Sequence, residues 1–201
     1  MDKKQSGVVR SMANVSGKRN ASDFYQTPYS LTRKLLQREE FDKNKTILEP
    51  CCGAGAILKV LEEEGYKYYG YDLDNPEAPR HKDFFTETRN PFYIITNPPF
   101  RIAKEFILHM KEIVKEKFAL LLPLNYLHGK ERFDIIWTDK IFPLKKVYIL
   151  TRYPMLTQEV RPDGKYKTGM MVYAWYIWEK EYTGNPQIDW IDNHEDVIGA
   201  K

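Results

Sequence analysis

The sequence predicts an α/β protein with a single, mostly parallel β-sheet. From about residue 28 to residue 122, short apolar runs typical of buried strands alternate with segments of helical periodicity, which is the pattern of βαβ units. The 201 residues, 42% of them hydrophobic, are enough for one domain with a substantial core and too few for two full domains.

The first half of the chain carries the predicted elements in a regular order. Ser30 is expected to be the N-cap of a first helix in which leucines recur at helical spacing, and Gly65 is expected to end a second helix at the C′ position. The predicted elements are a helix from residue 30 to about 40, a strand at 46–48, a helix at 56–64, a strand at 68–71 and a weak strand or turn at 80–84.

The middle of the chain contains the clearest strand and the clearest helix. The strand is expected at 92–96, and a fifth strand at 118–122 is stopped by Pro123. The helix between them is predicted because five apolar residues fall on one face: Ile102, Phe106, Met110, Ile113 and Val114.

The last third of the chain departs from this alternation. Residues 146–151 and 170–178 are both strand-like, and the segment between them, 152–169, has no helical pattern, so an antiparallel pair is expected. That segment is longer than an ordinary hairpin loop and carries four cationic residues, Arg152, Arg161, Lys165 and Lys167.

The expected domain organisation is one catalytic domain at 23–182, with 152–169 as a small inserted loop, between two terminal segments. Residues 1–22 are polar and without periodicity, which predicts a flexible arm, and 183–201 are expected to form a C-terminal tail. Arg10, Lys18 and Arg19 of the arm could contact phosphate, or the arm could simply be solvated.

Composition limits the class of protein without choosing a function. The formal net charge of +3 is mildly basic, which permits nucleic-acid binding but does not demonstrate it. The two cysteines, Cys51 and Cys52, are adjacent and fit neither a disulfide framework nor a metal site, so reduced thiols are expected. No apolar leader or membrane-length segment is visible, which predicts a soluble, cytoplasmic protein without metal.

A glycine turn follows the first strand, at Glu49-Pro50-Cys51-Cys52-Gly53-Ala54-Gly55. Small residues between a strand and a helix let a ligand approach the backbone closely, although a short Gly-x-Gly turn can also be a plain connection or hold another nucleotide. Asp72 ends the next strand, where a carboxylate can accept hydrogen bonds from both ribose hydroxyls. Two carboxylates flanking a glycine turn therefore favour an adenosyl cofactor.

Two further features refine this cofactor hypothesis. Position 58 is Leu, so the full G-x-G-x-x-G spacing of a pyrophosphate-binding dinucleotide site is missing and NAD is disfavoured. Asp83 and Phe84 could clamp a purine, the carboxylate accepting from the exocyclic amine and the ring packing on the base; alternatively, Asp83 only caps a turn.

The strongest chemical indication is the tetrapeptide Asn97-Pro98-Pro99-Phe100, directly after the strand at 92–96. The lone pair of an aromatic amine is delocalised into its ring, and acceptors that bind its two N–H groups make the nitrogen a better nucleophile. The Asn97 side-chain oxygen and the Pro98 carbonyl can be those acceptors, held rigid by the consecutive prolines, while Phe100 can stack on the base. Asn-Pro also begins ordinary turns, but its order after the glycine turn and Asp72 favours catalysis.

On these residues, the chain resembles the class I S-adenosylmethionine-dependent methyltransferases, and specifically the N6-adenine DNA methyltransferases of small phage and bacterial type. The resemblance covers about residues 24–180 and includes a Phe-x-Thr-Pro-like element at Phe24-Tyr25-Gln26-Thr27-Pro28. It implies a Rossmann-like, seven-stranded, mostly parallel sheet with an antiparallel C-terminal hairpin strand.

The resemblance also implies roles for individual residues. Tyr25 to Pro28 and Glu49 to Gly55 would surround the methionine part of S-adenosylmethionine, and Asp72, with Leu73 beside it, would hold the ribose. Asp83 and Phe84 would contact the cofactor adenine. Asn97 would border both the cofactor and the target amine, and the segment through Phe100 would hold the target base.

The substrate is expected to be adenine in DNA, with structured RNA as the nearest alternative, because Asn-Pro-Pro-Phe also occurs in small RNA adenine methyltransferases. Protein glutamine is disfavoured, since that resemblance usually has Tyr after the prolines. The alternative of another class is a noncatalytic methyltransferase-like protein that binds nucleic acid or acts as a scaffold; the intact Asp72 and Asn97 argue against it.

Overall fold

The computed structural model describes residues 26–151 and 171–193. In chain order the helices and strands are α1 (Tyr29–Arg38), β1 (Thr46–Glu49), α2 (Ala56–Glu63), β2 (Lys67–Gly70), β3 (Tyr93–Thr96), α3 (Ala103–Ile113), β4 (Lys117–Pro123), α4 (Lys130–Arg132), β5 (Leu144–Leu150), β6 (Tyr173–Glu179) and β7 (Gln187–Ile191). Short 3-10 turns lie at Phe84–Thr86, Phe100–Ile102 and Leu124–Leu127, and a π-helical turn, Phe133–Trp137, follows α4.

The seven strands form one sheet in the order β2-β1-β3-β4-β6-β5-β7. The pairs β1–β2, β1–β3, β3–β4 and β5–β7 are parallel, whereas β6 is antiparallel to both β4 and β5. Six strands therefore run one way and β6 runs the other. This confirms the predicted fold class, including the antiparallel pair in the last third of the chain.

Helices cover both faces of the sheet, because successive residues of each strand point to opposite sides. On β1, Ile47 packs with α1 and α2, whereas Leu48 packs with α3. Both side chains are completely buried. The molecule thus has two apolar layers, one on each side of the strands.

Of the two alternatives expected at 80–84, a weak strand or a turn, the structure has the turn. Its only sheet-like contact is a single bridge between Asp72 and His81, after which the chain turns into the 3-10 segment Phe84–Thr86. The Asp72 side chain accepts the backbone N–H groups of Asp74 and Asn75, which holds this stretch in a turn instead of a ladder.

The seventh strand is instead β7, inside the segment 183–201 that the sequence assigned to a tail. It pairs in parallel with β5, with Val147 opposite Ile188 and Ile149 opposite Trp190. Sequence periodicity missed it because β7 is an edge strand and only Ile191 is buried. The expected arm at 1–22 and loop at 152–169 lie outside the described residues.

Two helix boundaries also differ from expectation. The N-cap of α1 is Pro28, two residues before the expected Ser30, and the helix begins at Tyr29. Ile102 precedes α3 and is 39% exposed, so it does not belong to the buried face of that helix.

Candidate functional site

A cleft of about 560 Å³ opens at the carboxyl ends of β1, β2 and β3. Strand β1 lies between β2 and β3. The chain segments that follow the strands therefore turn to opposite sides, and a crevice remains between them at the carboxyl end of β1. The cleft lining includes eleven of the residues expected from the sequence: Gln26, Thr27, Glu49, Pro50, Cys51, Asp72, Leu73, Asp83, Phe84, Asn97 and Pro99. The sheet thus brings together segments that are 70 residues apart in the chain.

The glycine turn between β1 and α2 is shaped by two left-handed residues. Gly53 has φ of 51° and Gly55, the N-cap of α2, has φ of 84°, values at which a side chain would be strained. The Gly55 N–H donates to the Cys52 carbonyl at 2.7 Å and closes the turn. These glycines are absent from the cleft lining itself; they fold the backbone so that Pro50 to Cys52 reach it.

Glu49 is turned into the protein at the end of β1. It is 2% exposed, and its Oε2 accepts the backbone N–H of Leu58 in the first turn of α2 at 3.1 Å. Burial raises the pKa of the carboxyl well above its ordinary value, and the negative charge of Asp72 adds to this. Glu49 therefore caps α2 while also forming part of the cleft.

Asp72 connects the glycine turn to the loop after β2. One carboxylate oxygen accepts the Gly53 N–H and the other accepts the N–H groups of Asp74 and Asn75, all at 3.0 Å. Oδ1 already accepts two donors, so the remaining lone-pair capacity of the carboxylate is on Oδ2. The carboxylate is thus fixed at the rim of the cleft, with Leu73 beside it 55% exposed.

The two candidate purine contacts are arranged differently from expectation. Asp83 does cap a turn, since its Oδ1 accepts the Phe85 N–H at 3.0 Å, and it also lines the cleft. Phe84 is 2% exposed and packs in the core against Phe106 and His109, with ring centroids at 4.7 and 4.8 Å. Phe85, which the sequence analysis missed, also lines the cleft and is 44% exposed.

The Asn97-Pro98-Pro99-Phe100 tetrapeptide leaves β3 and turns into the 3-10 segment that precedes α3. Asn97 and Pro99 line the cleft, whereas Pro98 is buried and lies outside the lining. The Pro99 carbonyl accepts the Ile102 N–H at 3.2 Å and so begins the following turn. Phe100 is half-buried away from the cleft lining, with its ring 5.8 Å from that of Tyr173.

The segment before α1 also reaches this site. Gln26 and Thr27 line the cleft, and the Asn97 side-chain nitrogen donates to the Thr27 hydroxyl at 3.3 Å. Pro28 forms the start of α1 instead of the lining. Tyr25, also expected here, lies outside the described residues.

The adjacent cysteines Cys51 and Cys52 both line the cleft. Burial raises the pKa of both thiols, that of Cys52 to about 12, with the charges of Glu49 and Asp72 adding to the effect. Both are therefore neutral at ordinary pH, and neither is an activated nucleophile.

Several lining residues were missed by sequence reasoning. Besides Phe85 they include Ala56, Asp74, Asn75, Pro76, Lys82, Ile102 and Phe106. Asp74 to Pro76 directly follow Asp72, so their proximity could have been inferred. Ile102 and Phe106 could not, because their helical spacing indicates a core face.

Charge in the cleft is predominantly negative. Asp72, Asp74 and Asp83 line it beside Glu49, whose pKa is raised by burial, and among the lining residues that the structure describes Lys82 is the one cation. Lys82 is itself paired with Glu87, its Nζ lying 3.1 Å from Oε2. The cleft therefore favours a ligand without phosphate groups and with positive charge.

Two other features are absent from residues 26–151 and 171–193. Within those ranges, no helix is long and apolar enough to cross a membrane. Nor does the same part of the chain contain a group of three or more His, Cys, Asp or Glu side chains that could hold a metal ion.

Comparison with known proteins places this fold and cleft in a class. Residues 24–138 match the methyltransferase domain family, and the chain belongs to that family. No curated protein sequence shows a significant match. The membership confirms a methyltransferase and agrees with S-adenosylmethionine, the cofactor expected from the sequence.

Solved structures share the fold at low identity. A Pyrococcus horikoshii protein, proposed to be an RNA methyltransferase, superposes with a TM-score of 0.63 at 16% identity, covering 85% of this chain and 94% of that one. The type I restriction-modification methyltransferase subunit from Streptococcus thermophilus gives 0.58 at 15% identity, covering 88% of this chain and 49% of that one. This chain thus spans about half of that subunit.

A third structure is magnesium protoporphyrin IX methyltransferase from Synechocystis PCC 6803, solved with bound S-adenosylmethionine. It superposes with a TM-score of 0.52 at 16% identity, covering 77% of this chain and 78% of that one. These three proteins act on different kinds of molecule by their descriptions, and at such identities the likeness establishes the fold alone.

Proposed function

We propose that this protein transfers a methyl group from S-adenosylmethionine to the exocyclic N6 amine of adenine in DNA. The observation that carries the proposal is that Asn97 and Pro99 line the same cleft as Asp72 and Asp83. One cleft thereby combines a fixed carboxylate suited to a ribose with an amide and a rigid proline, Pro99, suited to an aromatic amine.

The cleft fits the cofactor in size and charge. A volume of about 560 Å³ lies within the range of small-molecule sites, roughly 300–1,000 Å³. When bound, S-adenosylmethionine supplies an electrophilic methyl group on a positively charged sulfur. Asp72 would accept from one ribose hydroxyl through Oδ2, and the exposed faces of Leu73 and Phe85 would pack on the adenine.

The protein's own groups would then act on the target amine. The Asn97 side-chain oxygen and the Pro98 carbonyl would accept its two N–H groups, which localises the lone pair on the nitrogen and aims it at the methyl group. The φ of −58° at Pro99 is typical of proline and keeps this turn rigid. Phe100, half-buried beside Tyr173, would present its exposed part to the base.

DNA is preferred as substrate because of the Thr27-Pro28 element and the order of the motifs. Structured RNA is the second candidate, and the likeness to a proposed RNA methyltransferase over 94% of that chain favours testing it in parallel. A noncatalytic relative would bind the cofactor but transfer nothing.

The test is transfer of a labelled methyl group from S-adenosylmethionine to duplex DNA, single-stranded DNA and structured RNA in parallel, followed by digestion to nucleosides and mass spectrometry. We expect N6-methyldeoxyadenosine. Methylation of RNA alone would reverse the choice of nucleic acid. A methyl group on another atom would overturn the assigned chemistry, and cofactor binding without any transfer would favour the noncatalytic alternative.

A further inference from the structure

The 3-10 segment Phe100–Ile102 sends its side chains in three directions. The Ile102 N–H donates to the Pro99 carbonyl at 3.2 Å, and such a turn places residues three apart on one side, so both of these residues line the cleft. Phe100 instead packs on the core, with its ring beside that of Tyr173. Arg101 lies about a third of a turn further round and is exposed. The end of the tetrapeptide is therefore followed at once by a cation that faces water.

Arg101 is not neutralised by the protein. With the residues that the structure describes, its guanidinium forms no hydrogen bond, ion pair or ring contact. The next cations along are different, because Lys104 pairs with Glu131 at 2.6 Å and the Arg132 guanidinium donates to two backbone carbonyls. Since nothing in the described fold uses the charge of Arg101, that charge is available to a ligand.

The two sides of the cleft differ in charge. The loops that follow β1 and β2 line it with Asp72, Asp74 and Asp83, which suit a positively charged cofactor without phosphate groups. A nucleic-acid backbone carries one negative charge per phosphate, so these aspartates repel it. Arg101 follows β3, on the other side, where its charge attracts the same backbone.

Arg101 is also next in the chain to the residues proposed to hold the target base, Asn97 to Phe100. A base that enters the cleft remains joined through its sugar to the phosphates of its own strand, and these stay outside the cleft. The guanidinium is a planar fork that can donate two parallel hydrogen bonds to one phosphate. An outward-facing arginine at this position therefore matches the part of the substrate that is left outside.

We propose that Arg101 binds a backbone phosphate of the nucleic-acid substrate. The inference rests on the proposed function, because it takes the substrate to be a nucleic acid. It adds a contact that fixes the position of the strand without reading its sequence. The phosphodiester is common to DNA and RNA, so the two are compared in the test.

The test measures binding of Arg101→Gln and Arg101→Lys to duplex DNA and to structured RNA by fluorescence anisotropy, at several KCl concentrations and with S-adenosylhomocysteine to prevent transfer. For Arg101→Gln we expect Kd at low salt to rise about 10-fold. The slope of log K against log[KCl] on duplex DNA should fall by about 0.9, the value for one phosphate contact, whereas Arg101→Lys should keep it. An unchanged slope in Arg101→Gln would overturn the proposal.

Duplexes of unrelated sequence distinguish a phosphate contact from a base contact. A phosphate carries no base identity, so Arg101→Gln should lose the same factor in affinity on each duplex. A loss confined to one sequence would refute the phosphate assignment.

Lys115→Gln is the matched control, because it removes the same charge beyond the other end of α3, away from the cleft. Lys115 is exposed, lies over the Phe92 ring with its Nζ 4.5 Å from the centroid, and has no ion pair within the described part of the chain. Its slope should equal that of the wild type. An equal decrease in both variants would show an effect of net charge alone and would contradict a specific role for Arg101.

Two further measurements exclude general damage. Because Arg101 has no partner among the described residues and does not line the cleft, Arg101→Gln should keep the wild-type urea midpoint, and cofactor Kd should change less than about 2-fold. In methyl-transfer assays, KM for the nucleic acid should rise about 10-fold while kcat at saturation is retained. A lower kcat with unchanged KM would overturn the proposal.

Binding and product identity separate this inference from the proposed function. If N6-methyldeoxyadenosine forms but Arg101→Gln keeps the wild-type slope, the inference fails and the function stands. If Arg101→Gln loses the phosphate contact but the methyl group is found on RNA or on another atom, the inference stands and the assignment to adenine in DNA fails. A wild-type protein that binds neither nucleic acid at low salt would refute both.

Discussion

Asp72 follows β2 and Asn97 follows β3, the two strands that flank β1. The two residues have different roles in the proposed site. Asp72 accepts three backbone N–H groups and so is fixed by its own surroundings. Asn97 is held from across the cleft by Thr27. Because their partners differ, substitutions at the two positions should have different kinetic effects.

Asn97→Ala is expected to reduce the rate of methyl transfer about 100-fold or more while leaving cofactor affinity nearly intact, because a preorganised acceptor is lost. Asp72→Ala should mainly weaken cofactor binding, by about 10-fold or more, since charged hydrogen bonds are worth roughly 1.5–3 kcal/mol. Calorimetry with S-adenosylmethionine and single-turnover methyl transfer measure the two effects. Equal losses of binding and transfer in Asn97→Ala would contradict its assigned role.

The adjacent phenylalanines allow a second separation at the residue scale. Phe85→Ala should weaken cofactor affinity about 10-fold through lost stacking on the adenine and leave stability almost unchanged, because its ring is 44% exposed. Phe84→Ala should lower the free energy of unfolding by about 3–5 kcal/mol, since it empties a core position. Urea denaturation and calorimetry on both variants test this; equal effects on Kd would disprove the assignment of Phe85.

At the scale of elements, β2 and α2 approach each other at Gly70. A Cβ added there would lie 2.8 Å from both methyl carbons of Leu58 and 3.1 Å from the Glu49 carbonyl oxygen. Leu58 is only 7% exposed, and its N–H is the one that Glu49 caps. This glycine is needed for close packing and not for a left-handed turn.

Gly70→Ala is accordingly expected to lower the free energy of unfolding by about 1–3 kcal/mol, the usual cost of overpacking. Chemical denaturation measures it, and the cofactor Kd should rise as the capped start of α2 is displaced. Combining it with Leu58→Ala should cost less than the sum of the two single changes, because the clash disappears. Strict additivity would contradict this steric account.

At the scale of the whole molecule, buried charges connect distant segments. At the end opposite the cleft, Lys117 of β4 contacts Glu39 at 2.5 Å and Glu179 at 3.0 Å, and Lys145 contacts the same two carboxylates. Nearer the cleft, the 2% exposed Glu87 is paired with Lys82 and Arg89. Such pairs are costly to break, because one charge is then left buried without its partner.

These carboxylates predict how stability depends on pH. Burial opposes the ionisation of Glu87, but hydrogen bonds from Arg89 and Lys82 outweigh it and lower its pKa; the pKa of Glu179 is lowered in the same way by Lys145 and Lys117. A carboxyl group whose pKa is lower in the folded than in the unfolded protein stabilises the fold fully at pH values above its ordinary pKa. That stabilisation is lost as the pH falls from the ordinary pKa through the folded pKa.

We therefore expect the free energy of unfolding of the wild-type protein to fall as pH decreases below about 4.5. Glu87→Gln should be less stable than wild type at pH 7, and the difference should shrink towards pH 3. Urea titrations at several pH values test this. The exposed Glu112→Gln is the control, and a pH-independent difference for Glu87→Gln would refute the linkage.

Much of this molecule follows from local sequence. The alternation of strands and helices, the turn at Gly53 and Gly55, and the acidic or amide residue at or just after the end of β1, β2 and β3 are local patterns. Parallel strands bring their carboxyl ends to one edge, so the meeting of Glu49, Asp72 and Asn97 at one cleft could be predicted. The presence of an aromatic side chain after Asp83 at the cleft could also be predicted, but not which of the two rings is exposed.

What the sequence could not determine depends on contacts between distant residues. Phe84 and Phe85 are adjacent residues of the same type. Only the packing of Phe84 on α3 decides that Phe85 is the exposed one. β7 has a weak local pattern and becomes a strand because β5 offers an open edge. The Thr27 to Asn97 bond requires α1 to be docked on β6. Local periodicity reports which side of an element is apolar, whereas these three outcomes depend on which surface of another element lies opposite.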